Sequence, residues 1–282
     1  MVGPWPASIT GVFRLLAWGV GIYAGLCLAA FLAQRRLMYF PDRSTEPEAL
    51  QRAARMGLVP WRDGKGALLG WRRPTARPGV PRSLVLHGNA GDALGRAEYL
   101  PILEAAGFEG VLLEYPGYGP RAGGRSESSL VADARAALHW LKEESPAPVI
   151  LVGESLGSGV AVQVAAAEPG LVAGLLLPVP FARMTEVAAH HYPILPMGLI
   201  LRDRWNSLDA IRDYPGPVAI LVAGRDEVVG APQGRRLAEA CPGPVKVWEV
   251  PQAGHNELPL QAGRPPWSEM LSFLRGEAGM GP

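Results

Sequence analysis

Val149-Ile150-Leu151-Val152-Gly153-Glu154-Ser155-Leu156-Gly157 is the stretch that decides the fold. Its first four residues are apolar and partly β-branched, which predicts a short buried strand. Leu156 to Ala167 is rich in Ala and Val and predicts a helix. Strand, sharp turn, serine and helix together are the setting of a nucleophile elbow, with Ser155 inside a Gly-x-Ser-x-Gly motif. The small Gly153 and Gly157 let the turn close, so the Ser155 hydroxyl stands exposed on a strained backbone. The motif alone is common in loops, and its flanks give it weight.

Downstream, the chain order expected after such a serine is acid, then histidine. Val218 to Val222 predicts another buried strand, running through Ala223-Gly224-Arg225 into Asp226. Asp226 is therefore the candidate acid, with Glu227 its one close rival. A further strand, Val245 to Val250, leads through Pro251-Gln252-Ala253-Gly254 to His255. Neutral serine is a poor nucleophile; His255 would take its proton, and Asp226 would fix the tautomer of His255 and stabilise the imidazolium. An isolated Asp or His is usually a solvated loop residue. Three such residues in this order, each just past a strand, favour a triad. Upstream, Ser83-Leu84-Val85-Leu86 predicts a strand opening into His87-Gly88-Asn89-Ala90-Gly91, where one oxyanion amide would sit, the other coming from Leu156. Asn89 is assigned that role, with Gly88 and Ala90 as alternatives, and His87 is taken as a structural loop histidine.

With these pieces placed, four motifs resemble those of the membrane-anchored abhydrolase-domain proteins. They are His87-Gly88-Asn89-Ala90-Gly91, Tyr115-Pro116-Gly117-Tyr118-Gly119, Gly153-Glu154-Ser155-Leu156-Gly157 and Gly254-His255-Asn256. That branch of the α/β-hydrolases includes bacterial esterase-like members and eukaryotic acyl-protein thioesterases. Leu37-Met38-Tyr39-Phe40-Pro41 is similar to a segment that follows the anchor in the same branch. The resemblance covers roughly residues 35 to 275. It implies an α/β-hydrolase fold, a Ser-His-Asp mechanism without cofactor or metal, and an acyl substrate of open identity. Pro178-Val179-Pro180-Phe181, Val228-Val229-Gly230 and Gly119-Pro120-Arg121-Ala122-Gly123-Gly124 depart from the branch pattern and alter pocket walls, while every catalytic group is kept.

From Leu15 to Ala33 no residue is charged, and Arg35-Arg36 follow. Such a helix spans about 28 Å, close to hydrocarbon thickness. A cleaved signal peptide is the main alternative, disfavoured by the length of the run, the lack of a small-x-small site and the closing arginines. The expected organisation is an anchor over residues 1–34, a catalytic domain over 35–275 and a disordered tail over 276–282. Deleting residues 1–34 is then expected to release a soluble, active domain. Arg35 and Arg36 against Arg14 lean toward a cytoplasmic catalytic domain.

Between anchor and tail, strands and helices alternate, which predicts a mostly parallel, doubly wound sheet. Glu46 to Met56 predicts a short helix, Gly66 to Arg73 part of an antiparallel edge, and Leu130 to Lys142 a longer helix. Residues 181–214 break the alternation and are taken as a small lid whose apolar Tyr192 to Leu201 would line an acyl pocket; an ordinary core-packed helix is the plainer alternative. Adjacent His190 and His191 point apart and do not make a metal site. Lys plus Arg number 27 against 26 Asp plus Glu, and the basic residues form no stripe, so no nucleic-acid surface is expected. Cys27 and Cys241 offer no disulfide framework. The expected partners are a lipid-like or small-molecule acyl substrate and the membrane. Two rival readings are a serine aminopeptidase, with Glu114 or Glu154 holding a substrate amine, and a membrane-tethered scaffold that keeps only the fold.

Overall fold

The strand before the elbow is buried along its whole length, as a central strand with both faces covered must be. A computed structural model describes residues 7–74, 77 and 79–280. The chain opens with helix α1 (Ala7–Met38), a two-residue strand β1 (Phe40–Pro41) and helix α2 (Glu46–Arg55). Strands β2 (Val59–Arg62), β3 (Leu68–Arg72) and β4 (Arg82–Leu86) follow, then the short β5 (Ala90–Gly91), helix α3 (Tyr99–Ala105) and strand β6 (Glu109–Leu113). Next come α4 (Glu127–Glu144), β7 (Val149–Gly153), α5 (Leu156–Ala167) and β8 (Gly174–Pro178). A helical segment of α6 (Met184–His191), α7 (Met197–Ile200) and α8 (Ser207–Ala210) precedes β9 (Val218–Ala223), α9 (Ala231–Glu239), β10 (Val245–Val250) and α10 (Trp267–Glu277).

Among the described residues, eight strands form one sheet in the order β10-β9-β8-β7-β4-β6-β3-β2, parallel except where β3 and β2 join antiparallel. Period-two alternation splits the core in two. Val149 and Leu151 face a layer that includes Leu130 and Leu138 of α4 and Val160 of α5. Ile150 and Val152 face Leu100 and Leu103 of α3 and Leu271 and Leu274 of α10. Because β4 pairs with β6 on one side and β7 on the other, successive connections leave in opposite directions there. That reversal opens a crevice at the carboxyl ends of β4 and β7, where parallel sheets bind ligands.

Several boundaries move relative to the expectations. One edge of the sheet is the antiparallel pair β3 and β2, with β2 outermost, so Gly66 to Arg73 is part of an antiparallel edge as expected, and the strand outside it is the addition. Helix α4 begins at Glu127, before Leu130, because Ser126 and Ser129 exchange side-chain caps and add a turn. The tail is not a loose end from Gly276: α10 continues to Glu277, and Met280 is buried against the α3–α10 layer. Residues 281–282 lie outside the described ones.

The largest change concerns the anchor. Helix α1 has no break at residue 34 and is long and apolar enough to cross a membrane. From Gly11 to Leu26 it is exposed, but Cys27, Ala30, Phe31, Gln34 and Met38 lose accessibility at helical spacing, so one stripe of its last turns packs on the domain. Gln34 is buried; its Nε2 donates to the Ile200 carbonyl (3.1 Å) and its Oε1 accepts from the Arg202 amide (2.6 Å). Arg35 grips the buried Asp203 through two bonds of 3.0 and 3.1 Å, and Tyr39 donates to the same carboxylate at 2.9 Å. A cut after residue 34 would therefore divide a packed unit.

Candidate active site

Ser155 sits between β7 and α5 with φ 50° and ψ −115°, a backbone conformation that few non-glycine residues adopt. The surroundings enforce it. A Cβ on Gly153 would lie 2.5 Å from the Gly157 carbonyl oxygen, and one on Gly157 would lie 2.0 Å from the oxygen of Leu86. No side chain fits either place, so β4, β7 and α5 approach backbone to backbone. The Ser155 amide donates to the Pro178 carbonyl at 3.1 Å, and the Ser158 hydroxyl donates to the Ser155 carbonyl at 2.6 Å. Only the Ser155 side chain is left to point into the crevice.

The loops after β9 and β10 bring the other two predicted residues to it. His255 Nε2 lies 2.9 Å from Ser155 Oγ, and His255 Nδ1 lies 2.8 Å from Asp226 Oδ2. The second oxygen of Asp226 accepts the amides of Val228 (2.9 Å) and Val229 (2.8 Å). Burial alone would push the Asp226 carboxyl up. The hydrogen bond and charge of His255, with the backbone amides beyond, outweigh it and hold the group below the ordinary carboxylate range. Glu227, its rival in the sequence, is exposed and makes no bond to His255.

Asn89 and Leu156 line the same cavity as Ser155, whereas Gly88 and Ala90 do not. Among the described residues, neither the Asn89 nor the Leu156 backbone N–H has a protein acceptor. Asn89 is pinned in place. Its carbonyl accepts from the Phe40 amide (2.9 Å) and the Tyr118 hydroxyl (2.8 Å), and its side-chain amide donates to the Met38 carbonyl (3.0 Å). The pairing of β1 with β5 ties this loop to the segment just past α1, which gives Leu37 to Pro41 a structural purpose.

Behind the loop, His87 is buried and packed against Tyr115, tilted, and Tyr118, edge-on, with ring centroids 4.2 and 4.9 Å away. Burial pushes it down to about 3, so the ring stays neutral, and its Nδ1 donates to the Gly88 carbonyl at 2.8 Å. Glu114, fully buried, lies 3.8 Å from the other His87 nitrogen and accepts from the Ala93 amide (3.1 Å) and the Trp71 indole (3.3 Å). Burial raises its carboxyl from an ordinary 4.5 to about 7. Between those values the folded chain keeps a proton that the unfolded chain gives up, so stability falls as pH rises across the window, by about 3 kcal/mol at most. Chemical denaturation at pH 5 and pH 8 is expected to show that loss in the wild type and to lose it in Glu114→Gln. Equal slopes in both proteins would contradict the assignment.

Neither glutamate suggested for a substrate amine is free to bind one. Glu114 is enclosed by protein, and Glu154 is gripped by Arg96 Nε (2.8 and 2.9 Å) and the Tyr99 hydroxyl (3.0 Å). Arg96 and Tyr99 come from a different part of the chain, and the sequence carried no sign of their pairing. His191 is also occupied, its Nε2 donating to the Val228 carbonyl at 2.7 Å.

Over Ser155 lies a cavity of about 240 Å³. Residues 181–214 supply one wall through Met184, Val187, Leu195, Met197 and Ile200. The last turns of α1 supply another, with Ala30, Gln34, Leu37 and Met38. The lining is mostly apolar, with a few polar side chains among it (Gln34, Asn89, Ser155, His191 and Tyr192), the usual pattern of a site for an apolar ligand.

Residues 82–202 match the family described as Serine aminopeptidase, S33. The Mycobacterium tuberculosis uncharacterized protein Rv2307c is 38% identical over 266 residues, covering 92% of this chain and 94% of that protein. The alpha/beta hydrolase domain-containing protein 17C of Xenopus laevis is 31% identical, over 72% of this chain and 65% of its own length. The lysophosphatidylserine lipase ABHD12 of Danio rerio is 27% identical, over 79% and 71%. Among solved structures, the Pyrococcus furiosus esterase Pf2001 superposes with a TM-score of 0.63 at 17% identity, over 85% of this chain and 97% of that one. At that identity the likeness concerns the fold alone.

Proposed function

This chain belongs to the α/β-hydrolase family and is a serine hydrolase, and on that premise we propose that it cleaves carboxylic ester or thioester bonds of lipophilic acyl substrates. The observation that carries the reading is the apolar cavity ending at Ser155, with His255 within hydrogen-bond reach of the same hydroxyl. In this reading Ser155 Oγ attacks the acyl carbon while His255 Nε2 takes the hydroxyl proton. Asp226 holds the resulting imidazolium through Nδ1. The oxyanion is received by the amides of Asn89 and Leu156, the latter in the first turn of α5, where the helix dipole also favours negative charge. His255 then hands its proton to the departing alcohol or thiol, leaving an acyl group on Ser155. Water, deprotonated by His255, attacks that acyl group; the free acid leaves and Ser155 regains its proton.

The name of the Danio rerio relative, a lysophosphatidylserine lipase, is compatible with a single-chain amphiphile as substrate. We place the catalytic domain on the cytoplasmic side, from Arg35 and Arg36 at one end of α1 against Arg14 at the other. The description of the matching family keeps a second reading in view, an aminopeptidase. The ion pair that occupies Glu154 weighs against it.

Hydrolysis of p-nitrophenyl esters from acetyl to palmitoyl, beside aminoacyl p-nitroanilides, separates the readings. Turnover is expected on the esters, rising with chain length until the cavity is filled. Turnover on the anilides alone would favour the peptidase, and none on either class, from folded protein, the scaffold.

A further inference from the structure

Tyr192 to Leu201 runs ten residues, Tyr-Pro-Ile-Leu-Pro-Met-Gly-Leu-Ile-Leu, without a charged side chain. Much of it is not spent on the core: Ile194 is 73% exposed and Leu199 83%. It lies beside α1, with the Tyr23 hydroxyl donating to the Ile194 carbonyl at 2.8 Å and the Gln34 side chain bonded to Ile200 and Arg202. Both apolar runs end at one charged belt. Arg35 closes the run on α1 and is paired with Asp203; Arg202 closes the run in the 181–214 segment, and its guanidinium stacks over Phe31 at 4.0 Å. Arg36 and Arg204, which follow the Arg35–Asp203 pair on the two segments, are exposed, and Arg204 donates to the Gly198 carbonyl.

We propose that Tyr192 to Leu201 is immersed in the bilayer beside α1, and that the acyl chain passes from that leaflet between the two into the cavity over Ser155. The partner is the hydrocarbon of the membrane that α1 crosses. The acyl passage rests on the hydrolase reading above, and the immersion does not. The depth follows from the spacing. Tyr23 precedes Arg35 by roughly 18 Å along the helix axis at about 1.5 Å per residue. With the arginines in the headgroup layer, the Ile194 carbonyl lies on the order of 10 Å inside the hydrocarbon.

Most of its backbone amides are paired within the segment, as suits a place where lipid offers no hydrogen bonds. Pro193 and Pro196 have no N–H to satisfy. Leu195 donates to the Tyr192 carbonyl (3.0 Å), Met197 to Leu195 (2.8 Å), Leu199 to Pro196 (2.8 Å) and Ile200 to Pro196 (3.1 Å). The two apolar surfaces are also the two walls of the cavity, through Ala30 and Gln34 on one side and Leu195 and Met197 on the other. A chain leaving the bilayer between them would never cross water.

The test uses the full-length protein in phospholipid vesicles, with Cys27→Ala and Cys241→Ser as background. A nitrobenzoxadiazole label is placed on Ile194→Cys or Leu199→Cys, and on Glu143→Cys as a water-exposed control at the opposite end of the sheet. The lid labels are expected to be quenched by lipids carrying a nitroxide on the acyl chain and to be about fivefold less open to aqueous iodide than the control. Iodide quenching equal to the control would overturn the immersion, whether or not the protein hydrolyses anything. In a second arm, Ile194→Asp with Leu199→Asp is expected to lower kcat/KM about tenfold for a long-chain ester in vesicles, because a carboxylate resists transfer into lipid. Hydrolysis of soluble p-nitrophenyl acetate should stay unchanged. An unaltered rate on the vesicle substrate, or equal loss on both, would overturn passage from the leaflet.

Discussion

Ser155→Ala is expected to lower turnover by about 10⁶, the usual cost of removing the nucleophile from a triad that acts as a unit. The geometry explains why no neighbour should substitute. Ser158 is buried and its hydroxyl is committed to the Ser155 carbonyl, so it cannot reach an acyl carbon. Alanine keeps the Cβ and therefore leaves the strained turn, with its close glycine contacts, sterically unchanged. Folding should be unaffected, and a matched thermal melt checks it. Wild-type-like hydrolysis of p-nitrophenyl esters by the variant would refute the role given to Ser155.

Removal of residues 1–34 is expected to lower hydrolysis of long acyl esters about a hundredfold, while removal of residues 1–22 leaves it near wild type in detergent. The shorter cut spares the turns of α1 that pack on the domain. The longer one takes away Ala30, Phe31 and Gln34, opens that wall of the cavity and strands the Ile200 carbonyl and the Arg202 amide. Loss of a few hydrogen bonds of about 1 kcal/mol each amounts to roughly two decades in rate if the wall must reform for catalysis. Kinetics of both truncations on acetyl and palmitoyl esters decide the matter. Equal behaviour of the two would show that α1 is an anchor alone.

Strand-forming runs such as Val149 to Val152 and Val218 to Val222 were legible because a central parallel strand is apolar on both faces, leaving a continuous signal. Asp226 and His255 were legible for a related reason: each lies just beyond a strand, so topology brings them together without a long-range guess. The contacts that escaped are those between segments distant in sequence. Nothing in Gln34 foretells the Arg202 amide, and nothing in Arg96 foretells Glu154. The edge strand β2 is short and carries Pro60, which masks its pattern. The boundary at residue 34 failed because charge and hydropathy mark where a helix leaves the membrane, not where it begins to pack on its own domain. The tail looked loose from its glycines, yet Met280 folds back to bury its side chain.

In the proposed mechanism every turnover carries an acyl group on Ser155. Wild-type protein mixed with p-nitrophenyl palmitate, quenched in acid during steady turnover, digested and examined by mass spectrometry tests it most directly. A palmitoyl adduct on the peptide bearing Ser155, absent from Ser155→Ala, is the predicted result. Sustained turnover accompanied by an adduct on any other residue would contradict it.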